Sequence, residues 1–517
     1  MKDKSLTYAF WAVVGVATLV GLATLAVRVS QGLRVTNLTN IVPWGLWVAF
    51  YIYFIGLSAG SFLLSTLVYV FGVKRFEPIG RVAVFTALIA LFGAFFFITI
   101  DLGHMERFWH VFSRPQIYSV LEIEVWFYVG YSLILLAELW LLVRQDLIRC
   151  GRAAGWRGSL CRLLALGSRD LSETSALRDI GIVRILGILG IFAAVGVHGG
   201  TGAIFAVAKA RPLWYGPLLP IIFITSALVS GGALLTFIAA LLLPRRDETH
   251  REMVVALGRL VIGLLVIDLL LLWSEFSITL YSGIPFEIAA FRLLLSGPFW
   301  WVFWVLQLGL GAVVPIILIL WPRTGRSVAG VAVASLLIFV GIFGVRLNIV
   351  IPALSVPLFP ELPTAYYGFQ APESGGLAAL APLLSGLVRI GLILLALALL
   401  AFLILLLRWV HRTTGRSPAW VAGTVTLAAL VMAGLWFANF GAPLATVSTL
   451  YPSIGAEPIN VLLTRPFRLS PFYFPSLNEW LTSVGLVGLL TLLFGLGWTI
   501  LPLTGVEEVE EGEALIL

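Results

Sequence analysis

The chain reads as an all-α protein, a polytopic transmembrane bundle of about ten to twelve helices. Three observations predict this class. Of its 517 residues, 60% are hydrophobic and only 11% are charged. Apolar runs of about 18 residues or more, the length that crosses a bilayer, recur from end to end. The period-two alternation of a membrane β-barrel is absent. A net charge of +7 is low for a nucleic-acid partner, and none is expected; its distribution suits membrane topology better.

Taken in order, hydropathy places spans near 8–27, 43–71, 79–101, 119–143, 180–209, 216–243, 254–280, 299–321, 328–350, 378–407, 418–442 and 479–502. The first follows the basic Met1–Lys4 stretch and runs on through Ala26 to Arg28 with no small-residue cleavage site, as an uncleaved span does. The count falls to ten or eleven if 378–407 and 418–442 do not cross separately. Three units follow: residues 1–354 with spans one to nine, 355–470 with extra helices and a loop at Tyr451–Phe472, and 471–517 with the last span and the acidic tail.

Roughly two thirds of the 33 lysines and arginines gather in alternate connections, eight arginines of them between Arg144 and Arg184. The positive-inside rule then puts both termini in the cytoplasm. The basic connections look otherwise featureless. Cys150 and Cys161 are the only cysteines. With no CxxC or CxxCH, no iron–sulfur cluster or covalent haem is expected, and on a reducing side the two are expected as free thiols.

This orientation sends every polar or aromatic motif to one face, the outer one. Around Asp101 the sequence DLGHMERFWH adds His104 and Arg107, three and six residues on. On a continuing helical turn Asp101 and His104 share a face, and a carboxylate beside an imidazole suits proton exchange with a reduced oxygen. The plainer reading makes Arg107 and Arg114 interfacial anchors paired with nearby acids. Glu124, Tyr128 and Tyr131 line one stripe of span four, while Glu122 points elsewhere. Asp268 and Glu275, seven apart in span seven, share another stripe and are candidates for a proton route, or for interhelical hydrogen bonds.

In span two, Gly56, Ser58, Ala59, Gly60 and Ser61 interrupt a bulky helix, either for close helix packing or to leave room for a flat ligand at Gly60. His198 is the one histidine well inside a span. A haem held by two histidines would need a second at the same depth, and His104 lies at an interface. A hydrogen bond from His198 to a quinone carbonyl, or to another helix, is more natural. Trp44, Trp47, Trp109, Trp214 and Trp480 sit at the outer level, where aromatic belts also form.

Three stretches carry a resemblance: PWGLWVAFYIYFIGLSAG, DLGHMERFWH followed by Glu124, and HGGTGAIFAVAKARPLWYGPLLP. Together with the later RLN and YFPSLNEWLTSVG they resemble the membrane subunits of the NrfD/polysulfide-reductase family. The likeness is closest to its ten-helix branch, found with membrane-bound nickel–iron hydrogenases and sulfite-reduction complexes. It covers most of 40–350 and 470–502; residues from about 355 to 470 depart from it. The resemblance implies two packed helical bundles and no redox metal in this subunit. It implies a quinone site (menaquinone or ubiquinone) near the outer face, a ferredoxin-like iron–sulfur partner there, and a catalytic subunit beyond. The candidates for quinone contact and proton exchange are then Asp101, His104, Glu124 and His198, with Tyr128, Trp44, Gly60 and Arg107 around them and Asp268 and Glu275 further in. Two readings compete: a secondary transporter or channel, which inverted repeats with broken helices would favour, and a passive membrane anchor for a redox complex.

Overall fold

The structure, a computed structural model, describes residues 4–153, 155–243, 247–358, 471 and 473–504. Ten helices among them are long and apolar enough to span a membrane, and the protein is a multi-pass integral membrane protein. The spans expected at 378–407 and 418–442, almost all of the 355–470 unit and the acidic tail lie outside the described residues.

In sequence order the helices are α1 (Lys4–Gln31), α2 (Leu46–Tyr69), α3 (Glu77–Asp101), the short α4 (His110–Ser113), α5 (Val120–Cys150), α6 (Trp156–Leu164), α7 (Glu173–Ala206), α8 (Leu218–Leu242), α9 (Glu248–Ser282), α10 (Pro285–Leu295), a π-helical stretch Val302–Val313 continuing into α11 (Val314–Leu320), α12 (Val328–Ser355) and α13 (Leu477–Ile500). The π stretch ends beside Pro315, which has no N–H for an ordinary helical bond.

Two four-helix groups emerge from the contacts. Helices α2, α3, α5 and α7 close one ring; α8, α9, α11 with its π stretch, and α12 close the other. They meet where α2 and α7 touch α8. Helix α2 is almost wholly buried at this junction, from Leu46 to Val68. The reason lies in Gly60 and Gly231. A Cβ on Gly60 would come within 1.9 Å of the Ala227 carbonyl oxygen, and one on Gly231 within 2.4 Å of the Gly60 carbonyl carbon. Backbone therefore meets backbone, which only missing side chains permit. At Gly60 the space that a flat ligand would take is filled by α8, so this glycine serves helix contact. Helices α1 and α13 pair in the same way through Gly21 and Gly485, alongside α3.

The basic end of the bundle is more elaborate than a row of loops. Cys150 and Cys161 form a disulfide with a Cα–Cα distance of 5.9 Å, folding α6 back on the end of α5; they are not free thiols. Arg144 is buried and its Nε donates to Asp179 at 2.7 Å, with Ser168 and Ser175 as further acceptors. Arg81 donates to Asp146 at 2.5 Å. This pairing explains why α7 begins at Glu173, seven residues before hydropathy places it. Its first turns carry Arg178 and Asp179, and Ser172 caps them by accepting from Ser175 N at 3.2 Å.

Candidate functional site

At the opposite end, three helices, α2, α5 and α7, converge on Glu124. It lies in the second turn of α5 and is 2% exposed. The hydroxyl of Thr201, near the end of α7, contacts its carboxylate. Tyr51 of α2 donates to Glu124 at 3.4 Å and lies 2.7 Å from the Tyr128 hydroxyl one turn further along α5. Thr201 also approaches the Val197 carbonyl at 2.9 Å. One hydroxyl hydrogen serves only one acceptor at a time, so the network has more than one proton arrangement. The stripe continues inward: Tyr131 is fully buried and 3.1 Å from Ser58 of α2. Glu122 lies off this stripe and is also buried. It is 3% exposed, with one carboxylate oxygen unpartnered among the described residues.

His198 stands one helical turn before Thr201 and is buried. The backbone of Phe223 approaches its ring, but neither ring nitrogen makes a hydrogen bond of normal geometry. Beside it is a residue absent from the sequence-based candidates, Arg346 of α12, completely buried. A Cβ on Gly56 would sit 3.1 Å from Arg346 Nη2 and 3.4 Å from His198 Nε2, so this glycine makes room for both side chains. Arg346 Nη2 donates to Ser226 at 2.7 Å, its guanidinium lies 5.0 Å from the Phe223 ring centre, and Nε and Nη1 are unpartnered among the described residues. Asp268 of α9 is buried and interacts electrostatically with Arg346. Glu275, two turns on, is half-buried.

An aromatic wall links this cluster to the end of the bundle. Trp44 stacks on Trp214 with ring centres 5.7 Å apart and meets Phe205 edge-on at 5.8 Å. Phe205 contacts Phe223 at 5.7 Å, and Phe223 contacts His198 at 5.5 Å. Trp214 is fixed by its Nε1 donating to the Ile349 carbonyl at 2.7 Å. Trp44 is thus part of a built wall, rather than a lone member of an interfacial belt.

Asp101 and His104 do not share a face. Helix α3 stops at Asp101, because Leu102 turns extended (φ −60, ψ 129) and Arg28 of α1 takes the freed carbonyls of Ile100 and Leu102 at 2.9 and 2.7 Å. Asp101 faces Arg28 and Glu479 instead. Glu479 closes a capping box with Ser476, accepts from Asn37 N at 3.0 Å and takes the Tyr473 hydroxyl; Tyr473 in turn accepts from Leu46 N at 2.9 Å. Burial and the Glu479 charge push the Tyr473 phenol well above its ordinary value. His104 is exposed, its Nδ1 2.8 Å from Glu106, and Arg107 lies 3.7 Å from the same carboxylate. Hydrogen bonds from its own backbone N–H and from His104 hold Glu106 below the usual carboxylate range. The candidate residues therefore fall into three places: Glu124, Tyr128, His198 and Trp44 with Asp268; Asp101 among α1, α3 and α13; His104 and Arg107 on an exposed loop. Glu275 stands apart, two turns beyond Asp268 on α9.

Comparison with known proteins agrees with this architecture. Residues 34–357 match the family described as "Polysulphide reductase, NrfD". A subunit of the selenate reductase of Mesobacillus selenatarsenatis is 41% identical over 69% of this protein and 84% of its own length. An Hdr-like menaquinol oxidoreductase integral membrane subunit of Archaeoglobus fulgidus is 27% identical over 70% and 82%. A component of the polysulfide reductase of Wolinella succinogenes is 25% identical over 60% and 94%. A match across most of both helical groups, together with relatives aligned over 60–70% of this protein, makes it a member of the polysulphide reductase NrfD family.

Proposed function

We propose that the protein is the quinone-reactive membrane subunit of a multi-subunit oxidoreductase. It passes electrons between an iron–sulfur partner docked at the end bearing Trp44 and Glu124 and the quinone pool of a prokaryotic cytoplasmic membrane. Quinone is the substrate, and menaquinone is the favoured kind because the Archaeoglobus relative is named for menaquinol. The observation that carries the reading is Glu124, an acid buried in the second turn of a span and held by Thr201, Tyr51 and Tyr128. Ionisable groups at such depth are costly and generally serve a proton, ion or ligand.

Converting a quinone to a quinol takes two electrons and two protons, and each oxygen needs a hydrogen-bonding partner. The residues present fit that demand. Glu124, with its hydroxyl partners, can exchange a proton at one ligand oxygen, while the under-satisfied His198 ring nitrogens can meet the other. The aromatic wall from Trp44 to Phe223 supplies flat apolar surface. Arg346 and Asp268 fix the charge behind His198, and Glu275 extends the acid stripe along α9 as a route for protons. Asp101, beside Glu479, is a second exchange point. His104, Glu106 and Arg107 form the exposed edge that meets the partner.

The experiment uses the complex as it purifies in mild detergent. Glu124→Gln should lower quinone-linked turnover by about tenfold or more, the usual scale for losing a general acid–base group. Turnover with an artificial acceptor that draws electrons from the partner should stay within twofold, roughly. Unchanged quinone turnover, or equal loss of both activities in an intact complex, would overturn the assignment.

A further inference from the structure

At the basic end, away from the candidate quinone site, three segments line an open pocket of about 380 Å3. Its walls are Arg75 from the α2–α3 connection, Arg251, Glu252, Val255 and Arg259 from the first turns of α9, and Arg326 from the α11–α12 connection. Four guanidinium groups thus face one carboxylate. Part of that charge is internally matched: Arg75 donates to the Glu252 carbonyl at 2.9 Å and lies 3.9 Å from its carboxylate, and Arg251 pairs with Glu248 and reaches the Arg326 carbonyl at 3.4 Å. Among the described residues, the guanidinium groups of Arg259 and Arg326 have no hydrogen-bond or ion-pair partner. Four arginines drawn from three segments repel one another unless an anion joins them.

From this we infer that the pocket holds the phosphate headgroup of an anionic phospholipid, best a lipid with two phosphates. The chemistry rests on charge complementarity, because planar guanidinium groups bind phosphate oxygens two at a time. The choice of a lipid over a free anion rests on position. Val255 adds an apolar wall, and Arg259 lies on α9 three turns inside a helix long and apolar enough to span. A headgroup held there leaves its acyl tails running along that apolar surface. Basic pockets between the ends of membrane helices are where such headgroups collect. The volume also lies within the range of small-molecule sites.

Thermal unfolding of the full purified protein in neutral detergent tests this. Diphosphatidylglycerol should raise the unfolding temperature in a saturable way, because a ligand bound only to the folded state stabilises it. Phosphatidylcholine, and inorganic phosphate at equal phosphorus, should not. In the Arg259→Gln/Arg326→Gln variant the apparent lipid dissociation constant should rise at least about tenfold. Both residues are exposed and their guanidinium groups unpartnered among the described residues, so this variant should fold as the parent does. Equal shifts with phosphatidylcholine would reveal a general detergent effect. Equal shifts with inorganic phosphate would reveal a free-anion site. Either result, no shift at all, or an unchanged lipid affinity in the variant, would overturn the inference.

Discussion

At the scale of single residues, the buried polar groups divide by whether they are satisfied. Arg28, Arg144 and Glu479 each meet several partners and read as structural pins. Glu138 does not. It is fully buried on α5, and neither carboxylate oxygen has a hydrogen-bond partner among the described residues. A buried polar group left unmade costs about 1–3 kcal/mol. Glu138→Leu should therefore raise the unfolding temperature, with a gain on that order. A clear fall instead would reveal a partner that the described residues do not include. Glu124 and Tyr128 were legible in the sequence as one stripe, because an acid and tyrosines at helical spacing share a face whatever surrounds them. Arg346 was not. What makes it notable is Gly56, His198 and Ser226 on three other helices, and no spacing along the sequence displays that meeting.

Elements show a similar division. Hydropathy located every span within the described residues, since a lipid-facing helix must be apolar over its whole length. It misjudged where α5 and α7 meet the interface, because the charges of Arg144, Asp146 and Asp179 are hidden by pairing one with another or with Arg81. The expected helical turn from Asp101 to His104 also failed, since carbonyls capped by a distant Arg28 look like any helix end in sequence. Helix α9 supports a test at this scale. Asp268 and Glu275 are about 10 Å apart along the helix at 1.5 Å per residue. Only Asp268 interacts with the fully buried Arg346. No hydrogen bond or ion pair joins the two among the described residues, so Asp268→Asn weakens a longer-range attraction and should destabilise by about 1–2 kcal/mol. Glu275→Gln should change stability by less than about 1 kcal/mol. If α9 is also the proton route, both variants slow quinone-linked turnover; equal stability in the two would remove Asp268 from its role beside Arg346.

For the whole molecule, two features speak to its orientation, and they pull in opposite directions. The arginines between Arg144 and Arg184, with those of the lipid pocket, gather at one end of the bundle. Those that are exposed, which leaves out the buried Arg144, are worth about 1 kcal/mol each beside an anionic cytoplasmic leaflet. The Cys150–Cys161 disulfide sits at that same end, and disulfides usually persist in oxidising compartments. The arginines weigh more. They act while the helices insert and they are many, whereas a single bridge forms after folding and only where the compartment allows it. The basic end is therefore expected in the cytoplasm, and the candidate quinone site towards the outer face. A membrane-impermeant maleimide should leave Cys150 and Cys161 unlabelled in intact cells, even after treatment with an impermeant reductant. After permeabilisation with reductant both should label. Labelling of intact cells once the impermeant reductant is added would place the disulfide outside. It would also move the Glu124 site, and the iron–sulfur partner with it, to the cytoplasmic side.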